Sequence, residues 1–178
     1  MALGRFRKIL QIVGYSGSGK TTLIEKLIFQ AAAQGLRVGT IKHHGHGGIP
    51  KEFSKDSVRH EQAGACVAAV EGQGTLRLSI HQESWTLDEM LALYDLFNLD
   101  RILIEGYKQE QFRKVVLLRK QEEMELLEKL SNISCVIHWP TCVIEKNMDY
   151  PVFSIDEEEQ YIKFLMEEWR GNHGNVIV

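Results

Sequence analysis

The residues of this chain best equipped for chemistry are Gly14-Tyr15-Ser16-Gly17-Ser18-Gly19-Lys20-Thr21-Thr22. They satisfy the pattern G-x-x-x-x-G-K-[ST] in full, between the apolar run Ile9–Val13 and a stretch of helical spacing. Glycines at 14, 17 and 19 allow backbone angles and close approaches that a side chain would block. The N–H groups of such a loop, from Gly14 through Ser16, Gly17, Ser18 and Gly19 to Thr22, can converge on phosphate oxygens at a helix N-terminus, where the dipole also favours an anion. Lys20 then reaches the β- and γ-phosphates as a point charge, and the Thr21 hydroxyl is placed to ligate Mg²⁺. The chemistry implied is the binding of a nucleoside triphosphate.

A phosphate loop also needs an acidic group near the magnesium. Arg101-Ile102-Leu103-Ile104-Glu105-Gly106 supplies an apolar strand that ends in a carboxylate. Glu105 can hold Mg²⁺ through water or orient an attacking water. Asp56 is a second candidate for the same metal, with an ordinary charge at a helix start as its alternative. His43, His44 and His46 cluster after a second apolar run. They suit contact with phosphate or a second substrate better than zinc, because no cysteine lies nearby to complete a ligand set. An N-K-x-D motif for guanine is absent; Glu145-Lys146-Asn147-Met148-Asp149 carries similar residues in the wrong order.

The elements that must position these groups alternate between strand and helix, the pattern of an α/β fold with a mostly parallel sheet. Ile9–Val13 reads as the first strand, and Leu23, Ile24, Leu27, Ile28 and Ala31 as one helix face closed by Gly35. Leu36–Lys42 is a second strand, and His43–Glu52, with three glycines and a proline, a loop. Ser54–Ala63 reads as a short helix, Cys66–Glu71 with Thr75–His81 as a β-hairpin, and Thr86–Asn98 as an amphipathic helix. Arg101–Glu105, Lys114–Arg119 and Ile133–His138 read as strands, and Glu122–Leu130 as a helix. A last helix is expected to start near Asp156 as N-cap, with Glu157, Glu158 and Glu159 in its first turn and Ile162, Leu165, Met166 and Trp169 inward. The expected architecture is a doubly wound P-loop NTPase domain over residues 1–178, with helices on both faces of the sheet and the 66–81 hairpin as an antiparallel addition.

Composition sets the outer bounds. With 178 residues, 44% hydrophobic and 25% charged, the chain has the profile of a soluble globular protein long enough for one such domain. A net charge of -3 gives no global field to attract nucleic acid or an anionic membrane. The three widely spaced cysteines argue for reduced thiols, and no stretch is long and apolar enough to span a bilayer. The expected location is the cytoplasm.

Four stretches together resemble the molybdopterin-guanine dinucleotide biosynthesis protein B (MobB) family. They are the loop Gly14–Thr22; Ile41-Lys42-His43-His44-Gly45-His46; Lys55-Asp56-Ser57 followed by Ala63-Gly64-Ala65; and Ile104-Glu105-Gly106-Tyr107-Lys108, with Glu110 and Lys114 beyond. The chain departs from the family pattern at Gly47–Glu52, which lacks the usual acidic residues except Glu52, and at Ser54, where glycine is usual. The resemblance implies a homodimeric GTP-binding protein with weak GTPase activity. Such a protein assists a partner nucleotidyltransferase that joins GMP to molybdopterin. It also implies that Gly17–Thr22 hold the triphosphate, that Asp56 and Glu105 lie near the magnesium, and that Lys42, His43 and Lys108 line the cleft.

Two other functions share the loop. A small-molecule or nucleotide kinase would close an arginine-bearing lid over the phosphates, yet His43–Glu52 contains no arginine. A non-catalytic, nucleotide-dependent binding module would offer the hairpin or a sheet edge to its partner. Slow turnover fits the lack of an evident water-orienting glutamine and of an identifiable arginine finger; Arg59 and Arg113 are candidates for one, with an ordinary surface charge as the favoured alternative for each. All three readings require Lys20. Lys20→Ala is expected to abolish triphosphate binding in calorimetry while the circular dichroism spectrum stays unchanged; normal binding by the variant would refute the phosphate-cradle assignment.

Overall fold

A computed structural model describes residues 9–43, 55–144 and 148–170, excluding the side chains of 55–57 and 170. The glycine-rich stretch beyond His43, with His44 and His46, lies outside the described residues, as does the Asp56 side chain. The chain divides into two compact units, Met1–Gly45 with Tyr94–Val178, and His46–Leu93.

In the larger unit the strands are β1 (Ile9–Gly14), β2 (Val38–Lys42), β5 (Arg101–Glu105), β6 (Lys114–Leu118), β7 (Ile133–His138) and β8 (Val152–Ser154). They form one six-stranded sheet in the order β2-β5-β1-β6-β7-β8, every adjacent pair parallel. Parallel strands covered on both faces bury successive residues rather than alternate ones. The sequence of β1 shows this, since all six of its residues are buried. On one face Leu10, Ile12, Leu103, Val115, Leu117, Cys135 and Ile137 form a core with helices α1 (Lys20–Ala32) and α5 (Glu158–Arg170). On the other, Val13, Val116, Leu118 and Val136 pack with Leu126 of helix α4 (Glu125–Lys129) and with Cys142. The expected doubly wound sheet with helices on both faces is what the chain builds.

Helix α1 forms because Leu23, Ile24, Leu27 and Ala31 recur at helical spacing and are buried together. It stops at Gly35, whose φ of 75° a side chain disfavours. There the Leu36 N–H bonds the Ala31 carbonyl (3.0 Å) and the Gly35 N–H bonds that of Ala32 (2.9 Å), satisfying helix-end acceptors. Gly39 in β2 has a different reason to be glycine. A Cβ there would lie 2.5 Å from Leu99 Cδ1 and 2.8 Å from the Tyr94 ring.

Helix α5 begins at Glu158 rather than at Asp156. The preceding residues make a turn of their own: Glu157 Oε2 accepts from the Ser154 N–H (2.6 Å), and the Asp156 N–H donates to Ser154 Oγ (3.3 Å). The Glu157 carbonyl takes the first helical bond, from Tyr161 N–H at 3.1 Å. Glu158 and Glu159 occupy the first turn as expected, and Tyr161 joins Leu165, Met166 and Trp169 in the buried face. Strand β8 has no counterpart in the sequence reading because its three residues are too few to show a period.

The smaller unit carries helix α2 (Lys55–Gln62) and a hairpin of β3 (Val67–Gly72) and β4 (Thr75–Ile80), paired antiparallel from Val67↔Ile80 to Gly72↔Thr75. Gln73 and Gly74 both have positive φ (50° and 77°), which is the two-residue turn that matches strand twist. Helix α3 (Leu87–Tyr94) starts on a reciprocal cap. The Glu89 N–H donates to Thr86 Oγ1 (3.2 Å), and Glu89 Oε2 accepts from the Thr86 N–H (2.8 Å). The expected helix to Asn98 ends earlier, giving way to a 3₁₀ turn at Asp95–Phe97 and a left-handed Asn98.

Leu165 is fully buried where α5 meets the sheet. Leu165→Ala should therefore cost about 2–5 kcal/mol, read from chemical denaturation. A loss below about 1 kcal/mol would mean that this interface is not the packed core described.

Candidate functional site

The phosphate loop occupies the carboxyl end of β1, where open α/β sheets place their ligands. The strand order reverses here, with β5 on one side of β1 and β6 on the other. The loop lies so close to β6 that a Cβ on Gly14 would sit 2.6 Å from the Leu117 carbonyl oxygen and 2.6 Å from Ser18 Oγ. Gly17 and Gly19 take left-handed angles, φ 75° and 102°. Gly19 is the N-cap of α1 and no side chain caps the helix, so its first N–H groups have no side-chain cap to compete with an anion. Lys20 Nζ donates to the Tyr15 carbonyl (2.7 Å), folded back over the loop. Burial pushes its ammonium below the ordinary lysine range; Glu105 opposes that shift, while Lys108 and Lys42 reinforce it.

Parallel pairing of β1, β5 and β2 brings three predicted residues to one point. Ile12 of β1 stands opposite Glu105 of β5, and Glu105 opposite Lys42 of β2. Thr21 Oγ1 then donates to Glu105 Oε2 (3.3 Å). Lys42 Nζ pairs with Glu105 Oε1 (3.2 Å) and donates to Thr21 Oγ1 (3.4 Å). The carboxylate is mostly buried while the lysine is exposed. Around it, the His43 ring lies 4.6 Å from that of Tyr107, and Lys108 Nζ sits 4.0 Å from the Tyr15 ring centroid. Lys20, Thr21, Lys42 and Glu105 thus form one cluster of hydroxyl, carboxylate and amines, with His43 and Lys108 at its margin. Arg113 stands at the opposite end of the sheet, beside Glu168. Among the described residues, no group of three or more His, Cys, Asp or Glu side chains could hold a metal by itself.

Several residues that shape the site were given no role by the sequence. Gln11, fully buried in β1, donates through Nε2 to the Gly106 carbonyl (2.6 Å) and to that of Tyr107. It thereby fixes the turn that follows Glu105, where Gly106 (φ 93°) and Tyr107 (φ 51°) are both left-handed. Lys114, also buried, donates to the Phe112 carbonyl (3.0 Å) and to Glu110 O, holding the far end of the same segment. Arg119, just past β6, donates from Nη1 to the Gly17 carbonyl (3.2 Å), and Trp139, just past β7, donates from Nε1 to that of Ser18 (3.0 Å). The signals existed: a glutamine inside an apolar run, a lysine opening one, and a tryptophan and an arginine at the carboxyl ends of strands, where ligands bind.

The chain matches the family model of molybdopterin guanine dinucleotide synthesis protein B over residues 9–139. It is 39% identical over 173 residues to the probable molybdopterin-guanine dinucleotide biosynthesis adapter protein of Bacillus subtilis, covering 96% of this chain and 98% of that protein. The crystal structure of Bacillus subtilis MobB superposes with a TM-score of 0.82 at 37% identity, over 92% of this chain and 99% of that one. A MobB homologue from Bacillus stearothermophilus gives 0.76 at 43% identity, over 92% and 98%.

Gln11→Leu strips two part-buried carbonyls of this donor. It should cost about 1–3 kcal/mol and weaken triphosphate binding through the displaced Glu105 turn. A variant with wild-type denaturation midpoint and affinity would show that Gln11 does not hold that turn.

Proposed function

The chain belongs to the molybdopterin guanine dinucleotide synthesis protein B family, and on that premise we propose that it is a GTP-binding adapter protein with weak GTPase activity. In this reading it assists a partner transferase that attaches GMP to molybdopterin. The observation that carries the nucleotide part is the convergence of Thr21, Glu105 and Lys42 beside the phosphate loop, each within 3.4 Å of another.

On binding, Lys20 exchanges the Tyr15 carbonyl for phosphate oxygens, a stronger, charge-assisted contact. The anion also relieves the burial penalty on the ammonium and draws it back toward its ordinary range. Thr21 and Glu105 offer hard oxygens of the type Mg²⁺ selects, and together they leave room for the waters and phosphate oxygens that it retains. Magnesium, when bound, would neutralise charge on the β- and γ-phosphates. Glu105 would help hold it through water, and Lys42 would keep that carboxylate in place beside Thr21. Asp56 is proposed as a further ligand on the strength of the family resemblance alone.

Weak turnover is supported by two side chains that are occupied elsewhere. Gln11 spends its amide donors on the Gly106 and Tyr107 carbonyls, and Arg113, at the opposite end of the sheet, is engaged with Glu168. A homodimer is supported by the hairpin, on one side of which Val67, Leu76 and Leu78 are exposed together (54%, 60% and 48%). We read the hairpin unit as an insertion in one nucleotide-binding domain. A cytoplasmic location agrees with free cysteines and with the lack, among the described residues, of any helix long and apolar enough to cross a membrane.

Calorimetry with GTP and ATP, each with Mg²⁺, and parallel phosphate release test this function. GTP should bind in preference and turn over slowly. Glu105→Gln should cut the Mg²⁺-dependent release by at least about tenfold while Mg²⁺-free GTP binding persists. Preferential ATP binding with turnover stimulated by a metabolite would make the protein a kinase instead.

A further inference from the structure

We propose that Trp139 is the wall on which the base of the bound nucleotide stacks, with the base entering an apolar cavity between the phosphate loop and helix α5. This rests on the nucleotide reading above and assigns the part of the ligand that the loop does not touch.

Three observations place the base there. The first is the tether of Trp139 to the loop. Its Nε1–H bonds the Ser18 carbonyl at 3.0 Å, so the indole is fixed at the loop itself. In a trans peptide the carbonyl of one residue and the N–H of the next point in opposite directions. Trp139 therefore lies on the side of the Ser18–Gly19 peptide away from the Gly19 N–H, next to the phosphate position but outside it. The second is the clamp on the ring. The Arg119 guanidinium lies 5.3 Å from the indole centroid and also bonds the Gly17 carbonyl. The Trp139 backbone N–H, distinct from the indole N–H, is bonded to the Leu118 carbonyl (2.9 Å) and anchors the residue. A ring held from so many directions is a preorganised stacking surface.

The third is space. A cavity of about 240 Å³ is lined by Gly19 and Thr22 at the loop, by Trp139, and by Ile155 and Tyr161 beyond them. Its size falls below the roughly 300–1,000 Å³ of a pocket for a whole drug-sized ligand, as expected if it takes one part of a ligand held elsewhere. The lining is mainly apolar, with the Thr22 hydroxyl, Lys26 and the Tyr161 phenol as polar groups. That is the composition of a site which takes a flat heterocycle by its face and leaves a few polar contacts for its edge. Thr22 and Gly19 belong to the loop and to α1, so a nucleotide with its phosphates in the cradle has the cavity within reach.

The test compares GTP with tripolyphosphate, which carries the phosphates and no base, both with Mg²⁺, on wild type, Trp139→Ala and Trp139→Phe. Trp139→Ala should weaken GTP about 10- to 100-fold and leave tripolyphosphate within about threefold. Trp139→Phe keeps an aromatic face without the N–H and should retain most of the GTP affinity. GTP should quench wild-type tryptophan emission, tripolyphosphate should not, and the quench should vanish in Trp139→Phe, which keeps Trp85 and Trp169. Wild-type GTP affinity in Trp139→Ala, an equal loss of both ligands, or an undiminished quench in Trp139→Phe would each overturn the stacking wall while leaving the phosphate site intact. Failure of the wild-type protein to bind tripolyphosphate would overturn the phosphate-site reading, and the wall with it. Should Trp139→Ala not fold, the Trp139→Phe quench decides alone.

Discussion

The close approach of the Gly14 backbone to the Leu117 carbonyl is the constraint on which the rest of the site depends. A Cβ at that position would fall 2.6 Å from a backbone oxygen that a central strand cannot move. Only with glycine there can β1 run flush against β6 and still turn sharply enough for α1 to start three peptides beyond Gly17. The helix then presents its uncapped N-terminus over the end of the sheet, and the flanking strands deliver their terminal residues to it. Lys42 and Glu105 come from one side, Arg119 and Trp139 from the other. The site is in this sense a consequence of strand order.

Charge follows the same geometry. The chain is acidic overall, with a net charge of -3, yet Lys20, Lys42, Lys108 and Arg119 gather about the loop with Glu105 among them. Such a local field attracts a polyphosphate without making the whole surface sticky to anions. Burial depresses the Lys20 ammonium, and the neighbouring Lys108 and Lys42 add to that shift while Glu105 opposes it. Glu105 offsets part of that positive charge through its pairing with Lys42.

The smaller unit obeys different physics. Its hairpin is closed by two residues with positive φ, and pairs Val67 with Ile80, Ala69 with Leu78 and Glu71 with Leu76 on one side. That side is apolar and exposed, a surface that isolated hairpins seldom keep in water. Its composition favours association with another surface, whereas the larger unit gathers its charged side chains about the glycine-rich loop.

Much of the architecture was legible in the chain because it is encoded at short range. The loop Gly14–Thr22, the stripe Leu23-Ile24-Leu27-Ala31, the stop at Gly35 and the buried strands at 101–105 and 133–138 each follow from a few adjacent residues whose spacing matches a period or a permitted backbone angle. Glu105 was legible for the same reason, as the charged end of an apolar strand. The start of α5 was not, since Ser154, Asp156 and Glu157 competed for the same turn. Strand β8 was too short to show a pattern. Nor could any local pattern reveal that Gln11 serves carbonyls 95 and 96 residues away, or that Arg119 and Trp139 grip the loop across 102 and 121 residues. The sequence by itself determined the form of the glycine-rich loop and the helix start after it, because backbone angles and a helix N-terminus are local properties. Only the tertiary structure decided what surrounds that loop, because those neighbours meet through the register and order of parallel strands.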